Sequence, residues 1–86
     1  MNILLKELKP EYNIIDIRDR EDYEKGHVIN SKNIPMNDLL NNHEKYLNKN
    51  KTYYIYCTSG IRSKKTCLIL RQLGYTVVNV MDGFGK

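Results

Sequence analysis

The amino-acid sequence predicts an α/β fold, with a small central parallel sheet of four to five strands and helices on both faces. Short β-branched or aromatic runs recur along the chain, stretches of helical spacing separate them, and glycines or polar turns stand at the junctions. Strands that alternate with helices build parallel sheets, because a parallel pair needs a long crossover and a helix supplies it. Each crossover is expected to be right-handed.

The elements follow in order. Residues 3–8 (ILLKEL) suggest a short helix ended by Pro10. Asn13 to Ile17 is a β-branched run of strand length. Arg18 to Lys25 is charged, and Gly26 is a natural helix stop. Val28-Ile29 and Asn33-Ile34-Pro35 read as short extended pieces. Met36 to Leu47 places apolar residues at 36, 39, 40 and 47, one face of a helix. Residues 48–51 form a polar turn, and Tyr53 to Cys57 reads as a strand of aromatic and β-branched residues. Thr58-Ser59-Gly60 interrupts it. Ile61 to Leu73 carries a second helical face, closed by Gly74. Thr76 to Val80 is the last strand, and Asp82-Gly83 turns the chain out of it.

The 86 residues predict one domain, spanning 1–86. A chain this short buries only about 60–65% of its unfolded surface, so its core is thin. Charged residues at 28% and hydrophobic ones at 41% suit a globular chain rather than a disordered one. Fourteen Lys and Arg against ten Asp and Glu give a net charge of +4, which favours small anions as partners. The basic residues are dispersed and form no tail, so no nucleic-acid partner is expected. With two cysteines, a disulfide scaffold is not expected. The first ten residues lack a signal-peptide core, and no stretch is apolar enough to cross a membrane. The expected setting is a reducing cytoplasm, and the expected state a monomer.

The chemistry concentrates in Tyr53 to Ser63 (YYIYCTSGIRS). A strand leads up to Cys57, a small polar turn follows, and a helix begins near Arg62-Ser63. In open α/β sheets ligands bind outside the carboxyl ends of the strands. A helix N-terminus there offers unpaired N–H groups and about half a positive elementary charge. Gly60 lets main chain approach closely. A cysteine so placed has its thiolate stabilised, from a free value of about 8.5 to roughly 3.5–7.5. The same amides suit the charge on a persulfide. Arg62, Lys64 and Lys65 would attract an anionic donor.

These residues resemble the rhodanese active-site loop, Cys-x-x-Gly-x-Arg-Ser, in Cys57-Thr58-Ser59-Gly60-Ile61-Arg62-Ser63. Further matches run in order. Ile14-Ile15-Asp16-Ile17-Arg18 resembles the family's first core strand with its Asp-x-Arg. Tyr23 to Val28 resembles its Phe/Tyr-x-x-Gly-His-Ile signature, Asn33-Ile34-Pro35 its Asn-Ile-Pro, and Leu73 to Val77 its Gly-Tyr/Phe-x-Val segment. The resemblance covers roughly residues 12 to 84. It implies a rhodanese-like fold and a sulfurtransferase that moves a sulfane sulfur through a Cys57 persulfide. The donor would be thiosulfate or a persulfide, the acceptor a thiol, cyanide or a sulfur-carrier protein, and no cofactor is implied. Thr58, Ser59, Gly60, Ile61, Arg62 and Ser63 would bind substrate, with Asp16 and Arg18 in support. The chain departs from the family in having Asn30-Ser31 in place of Gly-Ala. Its end, Met81 to Lys86, also lacks the family's usual second glycine, Phe84 following Gly83, and the later tryptophan. The leading edge strand is expected to be reduced or missing.

Each residue also has a plainer reading. Cys67 lies on the apolar helix face and reads as core rather than as a resolving thiol. Arg62 could be a solvated residue, yet a cation in a first turn opposes the helix dipole, which points to bracing the loop or holding an anion. Asp16 and Arg18 read best as a structural ion pair. His27 is expected to be a satisfied packing histidine, and His43 a helix-surface residue. Two His and two Cys at unrelated spacings give no zinc pattern. Tyr53, Tyr54 and Tyr56 alternate across a strand and need no nucleic-acid role.

Three rival functions stand beside sulfur transfer. Phosphatases and arsenate reductases resemble Cys-x5-Arg, whereas Cys57 to Arg62 is Cys-x4-Arg, a tighter cradle. A non-catalytic binding module is disfavoured by the retained cysteine. A redox pair of Cys57 and Cys67 needs both thiols within reach of each other.

Overall fold

A computed structural model describes residues 1–85. Its strands are β1 (Asn2–Ile3), β2 (Asn13–Asp16), β3 (Lys32–Asn33), β4 (Thr52–Tyr56) and β5 (Thr76–Val80). They form one sheet in the order β1-β5-β4-β2-β3, and every pairing is parallel. The helices are α1 (Arg20–Lys25), α2 (Met36–Asn41), α3 (His43–Tyr46) and α4 (Ile61–Gln72). This is the α/β architecture that the alternation of elements predicts.

Alternation along the strands sorts the side chains into two cores. Tyr53, Ile55 and Cys57 of the β4 segment join Ile15, Ile17 and Val77 on one face. Leu39 of α2, Leu47, and Cys67 and Leu70 of α4 pack against them. Ile14, Tyr56 and Val80 face the other way, under Leu5, Leu8, Tyr12, Val28 and Phe84. Helix α1 and the loop after it belong to this second face. There the Val28 N–H donates to Tyr56 Oη at 3.0 Å, and Tyr23 Oη donates to the Ser31 carbonyl at 2.6 Å. The two successive side-chain directions of a strand thus place the two helical layers.

After β2 the chain turns to one face and the β3 edge; after β4 it turns to the other face and β5. The carboxyl ends of β2 and β4 lie side by side where the connections diverge. Ligands of open α/β sheets bind outside such a switch point, and Asp16, Arg18 and Cys57 stand at these strand ends.

Three expectations need correction. Residues 3–8 do not form a helix. Asn2–Ile3 instead adds an edge strand to β5, and Leu5–Glu7 makes a single 3₁₀ turn. The Asn79 and Met81 N–H groups donate to the Met1 and Ile3 carbonyls at 3.0 and 2.9 Å. A helix here would leave those two donors without main-chain partners, so the ladder wins. The leading edge strand is therefore present, reduced to two residues. Second, Met36 to Leu47 breaks at Asn42, whose φ of −134° and ψ of 36° are not helical. Its side chain donates to the Asp38 carbonyl at 3.2 Å, the local bond by which Asn ends helices. Third, Val28-Ile29 is loop. It leads into a turn at Asn30, which has φ of 68°, and the strand that follows is Lys32–Asn33.

Candidate active site

Cys57 follows the last residue of β4 and is 1% exposed. Its neighbours are fixed by the loop that turns into α4. Gly60 is the N-cap, with φ of 88°, a conformation that L residues other than glycine rarely adopt. A glycine has no side chain to cap the helix, so the first-turn N–H groups need another acceptor. The cysteine sulfur takes that place. The N–H groups of Gly60 and Ser63 donate to Cys57 Sγ at 3.2 and 3.3 Å. As a thiol, Cys57 donates in turn to Ser63 Oγ at 3.4 Å. The first turn of α4 contains no acidic residue, so a thiolate would be its only negative charge.

Burial pushes the Cys57 thiol up. Against it stand hydrogen bonds from the Ser63 hydroxyl and from the N–H groups of Ser63, Gly60 and Ser59, and together they hold the thiol below its ordinary value. Cys67 is opposite in character. It is fully buried among the leucines and valines of the helical face, and burial raises its thiol to about 12. Both cysteines are free.

The candidate loop residues divide sharply. Gly60 and Ser63 touch the sulfur, and Ser59 adds its N–H. Ile61, at 74% exposure, and Arg62 face solvent. Among the described residues no hydrogen bond or ion pair braces the Arg62 guanidinium, so the bracing role is not seen. Thr58 and Ser59 present exposed side chains beside an open cleft of about 620 Å³. That cleft is also lined by Leu5, Asp82 and Phe84. Cys57 is not on its wall; the cleft lies on the outer side of the loop.

Asp16 and Arg18 form the ion pair the sequence suggested, at 2.8 Å, with side chains 0% and 8% exposed. Arg18 also donates to the Gly26 carbonyl at 2.7 Å. Its guanidinium carbon lies 4.9 Å from the Phe84 ring centre and 5.7 Å from that of Tyr56. The pair thus ties α1 and the C-terminal segment to β2, and makes no bond to the Cys57 loop. His27 packs on Tyr23, its Nδ1 2.7 Å from the Tyr23 carbonyl. His43 is half-buried rather than on the surface, with Nδ1 2.8 Å from Tyr75 Oη.

Two parts of the site escape sequence reasoning. One is Asn79, 3% exposed on β5, which accepts the Ser63 hydroxyl proton and donates to the Gly60 carbonyl at 3.5 Å. An asparagine inside a run of valines was the available signal. The other is the segment 81–85, which lies across the loop. The Phe84 N–H donates to the Cys57 carbonyl at 2.9 Å, and Gly83 packs on the Thr58 carbonyl.

The family model of the rhodanese-like domain matches residues 2–86. The chain belongs to the rhodanese-like family. A crystal structure of a rhodanese-like domain protein from Staphylococcus aureus superposes with a TM-score of 0.77 at 40% identity. The match covers 92% of this chain and 76% of that one. YtwF of Bacillus subtilis, named as a candidate sulfurtransferase, is 35% identical over 90% of this chain and 74% of its own length. The tRNA sulfurtransferase of Thermoplasma acidophilum is 41% identical over 73% of this chain, which spans only 12% of that protein. Relatives named for sulfur transfer thus match this chain in sequence, and the solved rhodanese-like domain matches it in fold.

Proposed function

We propose that this rhodanese-like chain is a sulfurtransferase that carries sulfane sulfur as a persulfide on Cys57. The carrying observation is the sulfur of Cys57 seated on the N–H groups of Gly60 and Ser63 at the head of α4. The thiolate attacks the outer sulfur of thiosulfate or of a persulfide. With thiosulfate, a new S–S bond forms to Cys57, the old S–S bond breaks, and sulfite leaves with the electron pair. The negative charge then sits on the outer sulfur, where N–H groups at the head of α4 would favour it. A thiolate acceptor attacks that sulfur, forms its own persulfide, and returns Cys57 as a thiolate.

The exposed Arg62 lies beside the loop and would draw in the anionic donor. The four residues between Cys57 and Arg62 make a cradle better matched to one sulfur atom than to a tetrahedral phosphate. Cys67 is an unsuitable resolving thiol, because its raised value keeps it protonated. Two free thiols support a reducing setting, with the cytoplasm the natural one. The test is intact mass after incubation with thiosulfate. The wild type gains one sulfur atom and Cys57→Ser gains none; equal gain in both would remove Cys57 from the mechanism.

A further inference from the structure

Behind the nucleophile one hydroxyl proton faces two acceptors. Ser63 Oγ lies 3.4 Å from Cys57 Sγ and donates its proton to Asn79 Oδ1. The Asn79 amide cannot turn freely, because its Nδ2 donates to the Gly60 carbonyl. Cys57, Ser63 and Asn79 are all buried, at 1%, 0% and 3% exposure, so water does not replace a bond that is lost.

A serine hydroxyl has one proton to give. With Cys57 protonated, the chain closes: S–H to Ser63 Oγ, and Ser63 O–H to Asn79 Oδ1. When Cys57 ionises, the sulfur becomes an acceptor, and the Ser63 proton can serve it only by leaving Asn79. Ser63 is the sole hydrogen-bond donor to Asn79 Oδ1 among the described residues, so turning away leaves a buried carbonyl unpaired. We propose that Asn79 is a positioning residue that competes with Cys57 for the Ser63 proton and thereby restrains ionisation of the nucleophile. The role rests on Cys57 being the sulfur carrier.

The restraint has a use. A thiolate loses nucleophilicity as its basicity falls, with a Brønsted coefficient of about 0.4–0.5. Once Cys57 is loaded its inner sulfur is neutral, and the Ser63 proton returns to Asn79. Asn79 therefore favours both states in which that sulfur is uncharged, and with them loading of the bare thiolate. The other titratable groups on this side of the sheet are Cys67 and Arg71 on α4, Tyr53 on β4, and the amino terminus beside β5, while Tyr54 and Tyr56 of β4 face the other layer. Arg62, Lys64 and Lys65 are exposed on α4.

Asn79→Leu keeps the volume and removes both polar atoms. Thiolate absorbance against pH should show Cys57 ionising about half to one unit lower, the equivalent of one hydrogen bond. In a Ser63→Ala background the same substitution should shift nothing, because its action passes through Ser63. A rise in Asn79→Leu, as from a merely loosened loop, or an equal shift in both backgrounds, overturns the proposal. Should Asn79→Leu fail to fold, NMR of the wild type decides. The Asn79 side-chain amide signal must move at the midpoint of Cys57, and a signal that stays fixed rejects the competition. A wild type that titrates in this way yet takes up no sulfur would sink the sulfurtransferase reading alone.

Discussion

A Cβ added at residue 60 would lie 2.1 Å from the Met81 carbonyl oxygen and 2.7 Å from its carbon. Both are main-chain atoms that no rotamer change can move. The left-handed φ of 88° adds strain of about 1–2 kcal/mol for any L side chain. Gly60→Ala should therefore cost well over about 2 kcal/mol, where each kcal/mol is worth about 4–8 °C of melting temperature in a domain this size. A melting temperature within a degree of wild type would contradict the packing described. The glycine was legible as a loop residue, because the motif holds it. Its contact with residue 81 was not, since two segments twenty-one positions apart meet only once β5 lies beside β4. Asn79 is hidden for the same reason. Strand alternation assigns it to the helical face, but only the folded pairing brings it to Ser63.

At the scale of elements, two ion pairs make a contrast. Asp16 and Arg18 are almost wholly buried, whereas Arg20 and Glu24 on α1 are 82% and 62% exposed. Removing one partner of a buried pair leaves an uncompensated charge and costs about 3–5 kcal/mol. An exposed i,i+4 pair is worth about 0.3–0.5 kcal/mol. Asp16→Ala should thus lower the chemical-denaturation midpoint strongly, while Glu24→Ala hardly moves it. Similar midpoints for the two variants would show that the Arg18 guanidinium finds other partners. Strands and the long helix α4 were legible from spacing and from their glycine stops. The edges were not. Two-residue strands carry no periodicity, and their existence depends on a neighbour with unpaired main-chain groups. The break at Asn42 was hidden because the apolar spacing of 36, 39, 40 and 47 continues across it.

For the whole molecule, pH sets the balance through Cys67 and Tyr56. Burial raises both to about 12, well above their ordinary values. A raised acid favours the folded state fully while the unfolded chain is still protonated. That contribution is lost as pH climbs from the unfolded value through the folded one. Stability should accordingly fall between about pH 9 and 12, and Cys67→Ala should flatten the lower part of that fall. A wild-type melting temperature independent of pH across this range would show that these groups are not buried as described. Cys57, being lowered, acts in the opposite sense and adds stability as pH rises toward the ordinary thiol range.

The alternation along β4 has a further consequence. Tyr53, Ile55 and Cys57 share one side of the ribbon, and Tyr54 and Tyr56 share the other. A one-position slip of this strand would exchange the two sets. The sulfur would then turn away from α4 into the layer of aromatic rings, and a tyrosine would meet the amides of the helix start. Folding and reactivity hang on the same pairing, so a chain that misthreads here has no half-active form.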